Sequence, residues 1–152
     1  MSASPVYRIT ISSSRKHFHQ TRELIHFISR QHGLGNSDAD LVEMAVSEAC
    51  HNVLRHGSTT EDQARCHLEI RIDEKSIKAV IRDKGEVFEF DSIEPFDINQ
   101  DFMQYKNGGL GIPLMKVLMD DVRYERKPEN INELTLIKYL KPRTKKERKR
   151  SG

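Results

Sequence analysis

The chain has 152 residues, 36% hydrophobic and 32% charged, a balance that suits one globular domain with a modest core and argues against a fibrous or wholly disordered chain. It has no apolar run of about 18 residues, which excludes a membrane-spanning helix of the usual kind. The start, MSASPVYRIT, lacks the apolar centre of a secretory signal, so a cytoplasmic protein is expected. The formal net charge of +2 is unevenly spread: residues 141–152 carry seven Lys or Arg and one Glu, a net +6, leaving 18 basic and 22 acidic residues in the other 140, a net −4. The chain thus reads as a mildly acidic domain over 1–140 followed by a basic, disordered tail over 141–152; nucleic-acid contact through that tail is the less favoured reading.

Residues 6–12 alternate, with Tyr7, Ile9 and Ile11 on one face, and predict a strand. Residues 15–32 carry Phe18, Leu24, Ile25, Phe27 and Ile28 among polar residues and stop at Gly33, which predicts a helix. Arg15, Lys16, Arg22 and Arg30 lie on the same helix, either as a solvated face over two core aromatics or as part of a partner surface. A second helix is expected from about Asp38 to His56, capped by Asn36 or Ser37 and ended by Gly57. Residues 64–72 alternate cleanly and, through a turn at Asp73-Glu74-Lys75, lead into SIKAVIR, a hairpin with one wet face that includes Glu69. Residues 84–108 keep no steady period and read as a long binding loop or lid. The all-round apolar segment IPLMKVLM predicts a buried helix, and DVRYER and ELTLIKYL predict two last strands. The order accommodates an α+β fold: a two-layer α/β sandwich whose mixed, mostly antiparallel sheet carries its helices on one face.

Cys50 and Cys66 read as buried thiols, and the seven histidines show no HExxH or CxxC spacing, so no structural zinc is expected. The second helix holds an anomaly. At 100° per residue, Glu48 and Asn52 fall inside its apolar arc as an i,i+4 pair. A carboxylate and a carboxamide on that side need partners: a backbone group, a buried water, or a ligand with a cation. Asp83 ends a strand just before Gly85, as in an ordinary turn, and could also accept a hydrogen bond from an amine. Gly108-Gly109-Leu110-Gly111 opens a helix, where free backbone N–H groups suit phosphate; a tight turn or hinge is the alternative. No P-loop, Rossmann fingerprint or GxSxG element is present.

Taken in order, these segments resemble the GHKL ATPases (the Bergerat fold) and, more narrowly, the bacterial anti-sigma-factor serine kinases. LVEMAVSEACHNVLRHG, residues 41–57, is similar to the family's N box, IRDKG to its first glycine box, and GGLGIPLMKVLMDDVRYER with TLIKYL to its second glycine box and closing strands. The resemblance implies an ATP-dependent serine kinase. Asn52 would hold Mg²⁺ at the ATP phosphates, and Glu48 would act as the catalytic base. Asp83 would bind the adenine amine, with Gly85 in the base loop. Gly109, Leu110 and Gly111 would offer backbone to the phosphates, and Thr135 would stand beside the adenine. Implied partners are a sigma factor and a STAS-type anti-anti-sigma protein carrying the acceptor serine, with a homodimer formed through the first helix and adjoining sheet. One departure stands out: the family's DxGxG is Asp83-Lys84-Gly85-Glu86-Val87 here, and a β-branched residue fits poorly where a glycine conformation is needed. Val87 favours a non-catalytic partner-switching module; Glu48 favours the kinase.

Overall fold

The computed structural model describes residues 4–12, 15–56, 65–84 and 111–141. The chain runs β1 (Val6–Ser12), α1 (Arg15–Gln31), α2 (Asn36–His56), β2 (Arg65–Ile72), β3 (Ser76–Asp83), α3 (Gly111–Leu118), β4 (Asp121–Lys127) and β5 (Ile131–Tyr139). The strands lie in the order β1-β2-β3-β5-β4, and each neighbouring pair is antiparallel. α1 packs on β1, α2 on β2, β3 and β5, and α3 on α2 and β4, so the helices cover one face in the order α1-α2-α3. This is the expected α+β two-layer sandwich.

Local chemistry explains the boundaries. α1 ends in a Schellman motif: Leu34 N–H donates to Ser29 C=O (3.1 Å) and Gly33 N–H to Arg30 C=O (3.3 Å), with Gly33 at φ 106°, where a Cβ would be strained. Leu34 is buried just beyond it. α2 starts at Asn36, its first bond running from Ala39 N–H to Gly35 C=O, so the backbone of Gly35 stands where a cap by Asn36 or Ser37 was expected. The β2–β3 turn is set by Asp73, whose Oδ1 accepts from the N–H groups of Lys75 (2.7 Å) and Ser76 (2.8 Å). These backbone bonds hold the Asp73 carboxyl below its usual range. β4 and β5 join through Pro128–Asn130, where Glu129 and Asn130 both have positive φ.

The core lies between the sheet and α2, from Ile25 and Ile28 of α1 through Val42, Val46, Ala49 and Val53 to Leu68, Ile70, Ile81, Met115 and Leu136. Three expectations are corrected. Phe27 is 59% exposed, whereas Phe18 packs against the core, so only one of the two aromatics belongs there. α3 is not buried all round, since Val117 is exposed beside buried Met115 and Leu118. The outer face of the β2–β3 hairpin is not uniformly wet: Glu69 and Val80, paired across it, are both buried. They sit mid-sheet under long neighbouring side chains. Burial alone would raise the Glu69 carboxyl, but its hydrogen bond and ion pair with Arg71, joined by Arg8 and Arg82, hold it below the usual carboxylate range.

Candidate functional site

The connections decide which motifs meet. Lys141 Nζ lies 3.8 Å from Asp38 Oδ2, and Leu140 N–H donates to Lys75 C=O at 2.8 Å. α2 therefore begins at the end of the sheet where β2 turns into β3 and where β5 finishes. α3 finishes at that end too, because Asp120 N–H donates to Ile137 C=O at 2.9 Å. The C-terminal half of α2, the start of α3, the end of β3 and the start of β5 consequently share the opposite end. At ~1.5 Å per helical residue and ~3.4 Å per strand residue, Asn36 to Asn52 and Ser76 to Asp83 each span about 24 Å. Asn52 and Asp83 thus both lie toward this end, where Gly111 opens α3.

Across the molecule, α2 sits between α1 and α3. Its α1 side is marked by Glu43, which accepts from Arg22 Nε (3.2 Å), and by Asp40, which accepts from His26 Nε2 (2.8 Å). Ala45, Val46, Ala49 and Val53 face the sheet and are buried. By helical periodicity Glu48, Asn52 and half-buried Leu41 lie on the side of α2 away from α1, the side on which α3 packs. Glu48 is half-buried and has no hydrogen bond or ion pair among the described residues. A satisfied buried backbone group therefore does not explain it. Together the pair offers one carboxylate and one carboxamide oxygen, hard donors of the kind Mg²⁺ takes, so the residues present fit that ion.

At the sheet, Asp83, Asn132 and Arg126 stand directly opposite one another across β3, β5 and β4. Asn132 Nδ2 donates to Asp83 Oδ1 (3.2 Å), and Arg126 Nη1 donates to Asn132 Oδ1 (2.5 Å). Asn132 is 1% exposed. Directly opposed residues share a face, so this row lies on the helix side with Leu134 and Leu136. Thr135 does not join it. It opposes Val80 on β3 and Arg123 on β4, on the outer face of the sheet. The structure therefore places Thr135 and Asp83 on opposite faces of the sheet, and Asn132 is the β5 residue beside Asp83. The signal was available in the sequence: the alternation Leu134, Leu136 fixes Asn132 on the core side and Thr135 on the other.

Gly85, Val87, Gly109 and Leu110, together with the basic tail beyond Lys141, lie outside the described residues. Gly111 is the first residue of α3. Both cysteines are free and buried, as expected, and the hydrogen bond to Cys66, with burial, pushes the Cys50 thiol well above its usual range. His26, Asp40 and Glu43 come together in space, and these side chains are tied into the α1–α2 contacts named above. Lys138 was also missed: 8% exposed, it donates to Leu118 C=O (3.0 Å) and faces Asp120 Oδ1 (3.5 Å), capping α3 from the sheet.

The family model described as "Histidine kinase-like ATPase domain" matches residues 11–138. The chain belongs to this GHKL-like ATPase family. Within it, the chain is 32% identical over 114 residues to a Staphylococcus aureus serine-protein kinase RsbW, covering 72% of this chain and 70% of that one, which places it in the anti-sigma-factor serine kinase group. It is 28% identical over 102 residues to the RsbW of Bacillus velezensis, and the match spans just under two thirds of that relative's length, 64%. Among solved structures, the GHKL-like fold recurs in the RsbU and RsbW domains of a Mycobacterium tuberculosis protein, with TM-score 0.63 and 16% identity over 91% of this chain and 33% of that one. It recurs in the SiaB-SiaC complex of Pseudomonas aeruginosa, with TM-score 0.54 and 15% identity over 88% of this chain and 89% of that one.

Proposed function

We propose that the protein is an anti-sigma regulatory kinase of the cytoplasm: it binds Mg-ATP in the valley between α2 and α3, holds a sigma factor, and phosphorylates a serine of a STAS-type anti-anti-sigma partner. The observation that carries this is Glu48, a half-buried carboxylate without a partner among the described residues, one turn from Asn52 and on the side of α2 where α3 packs. Phosphoryl transfer needs positioning and charge neutralisation more than covalent help, and this side of α2 supplies both kinds of group. Asn52 would hold Mg²⁺, which when bound neutralises the charge of the transferring phosphates. Glu48 takes the proton of the serine hydroxyl as its oxygen forms a bond to the terminal phosphorus and the bond to ADP breaks. Asp83 accepts from the adenine amine, with Gly85 in the base loop. Gly109, Leu110 and Gly111 present backbone N–H groups to the phosphates.

For the partners, α1 supports the reading of a dimer and partner surface: Leu24 and Phe27 are 42% and 59% exposed on its flank. A second reading, a binding module without phosphotransfer, is favoured by Val87. Titration calorimetry with Mg-ATP or Mg-ADP separates these claims from a nucleotide-free protein: binding is expected and should raise Tm through mass action. Absence of heat at millimolar nucleotide would remove the ATPase reading. Binding without phosphate transfer to a neighbouring anti-anti-sigma protein would leave the module.

A further inference from the structure

The row Asp83–Asn132–Arg126 carries more than a contact list. Arg126 is an exposed residue of β4 and a donor only; a carboxylate is an acceptor only. Asn132 sits between them, 1% exposed, and an amide has one end of each kind. With Arg126 donating to Oδ1 at 2.5 Å, the amide must turn its NH₂ toward Asp83, where the 3.2 Å bond is found. The donor at the strand edge therefore favours this amide orientation. Flipped, Asn132 would set its carbonyl against the carboxylate and its NH₂ against the guanidinium, two repulsive contacts in a buried place.

We infer that Arg126 and Asn132 are positioning residues that fix Asp83 as a hydrogen-bond acceptor, so that this end of the site selects a base edge carrying an amine. The inference deepens the nucleotide reading above and rests on it. Neither residue needs to touch the base. Arg126 orients the amide, the amide orients the carboxylate, and the carboxylate discriminates. A site built to pair a buried polar group rejects analogues that leave that group unpaired far more strongly than an apolar pocket rejects a change of size.

The test compares ATP with purine riboside triphosphate, which lacks the exocyclic amine, by titration calorimetry with Mg²⁺. The wild type should prefer ATP by roughly tenfold to a hundredfold, the size expected of one buried hydrogen bond. Asn132→Leu keeps the volume but removes the relay. It should weaken ATP much more than the purine analogue and bring the ratio toward one. Arg126→Met removes the donor that favours this amide orientation and should lower the ratio in the same direction by a smaller factor. Because Arg126 is exposed, this second variant decides the matter should Asn132→Leu not fold, as judged by circular dichroism and its urea midpoint. A purely structural role would lower both affinities together and leave the ratio unchanged. An unchanged ratio in a folded variant, with the wild type binding ATP, overturns the inference alone. A wild type that binds neither nucleotide overturns the proposed function and this inference with it.

Discussion

Glu48 and Asn52 are neighbours on one shoulder of α2, yet their chemistry predicts different losses. Glu48→Gln keeps the shape and hydrogen-bonding capacity but removes the base, so nucleotide affinity and Tm should be nearly retained while serine phosphorylation falls by roughly 10²–10⁴. Asn52→Ala should lose the metal-dependent part of nucleotide affinity. If Glu48 served only the fold, the glutamine variant would lose stability and keep its rate per folded molecule, and a phosphotransfer assay paired with a thermal melt distinguishes the two. Both residues stand out as candidates in the sequence because a polar pair inside a helix's apolar arc needs a partner of some kind. At the sheet the resemblance points to Thr135, while strand parity, which shifts a side chain to the opposite face with every residue, puts Asn132 beside Asp83.

At the scale of elements, α3 and the outer face of the sheet carry the informative departures. α3 has eight residues, too few to be stable alone, and its C-terminal carbonyls are met by the buried ammonium of Lys138. Lys138→Met fits the site but removes the donor to the Leu118 carbonyl and the cation facing Asp120, which keeps the Tyr139 N–H. It should cost about 1–3 kcal/mol in a urea titration, more than the usual surface change. No periodicity announces such a contact, because it joins two elements by a long side chain crossing the core face. The same holds for Glu69, which the strand pattern assigns to water and the arginines cover. Its folded carboxyl is held below the ordinary value, so the stabilisation is present above the unfolded carboxyl range and is lost as pH falls through the lower, folded value. Acid unfolding followed by fluorescence or circular dichroism should therefore show a steeper fall below about pH 4.3 in the wild type than in Glu69→Gln. Coincident curves would show that the arginine cluster contributes nothing.

For the whole molecule, the folded region reads as a closed unit of sheet and helices. The 142–152 segment has no apolar residue with which to join it. Its deletion should leave Tm within about 1 °C, since no burial term is removed. A drop of several degrees in a calorimetric scan would mean that the tail docks on the acidic domain. The fold was legible almost throughout: periodicity, glycine stops and turn chemistry each report a local constraint, and here the local constraints agree. The site was legible in part, since motifs mark residues along the chain but not which face of a strand they occupy.

The two rims of the sheet differ in a way that bears on how the molecule behaves in company. Along β4 charges recur at Asp121, Arg123, Glu125 and Lys127, paired within the strand as Arg123–Asp121 and Lys127–Glu125. A foreign strand laid there would have to desolvate that row, and natural sheets use such charges to refuse edge-to-edge growth. β1, at the other rim, offers Val6, Thr10 and Ile9 with Arg8 as its one charge, and its outward backbone groups have no neighbouring strand among the described residues. Among the described residues the two rims are therefore unequal: the charge row on β4 opposes the addition of an extended segment, and β1 carries no such row.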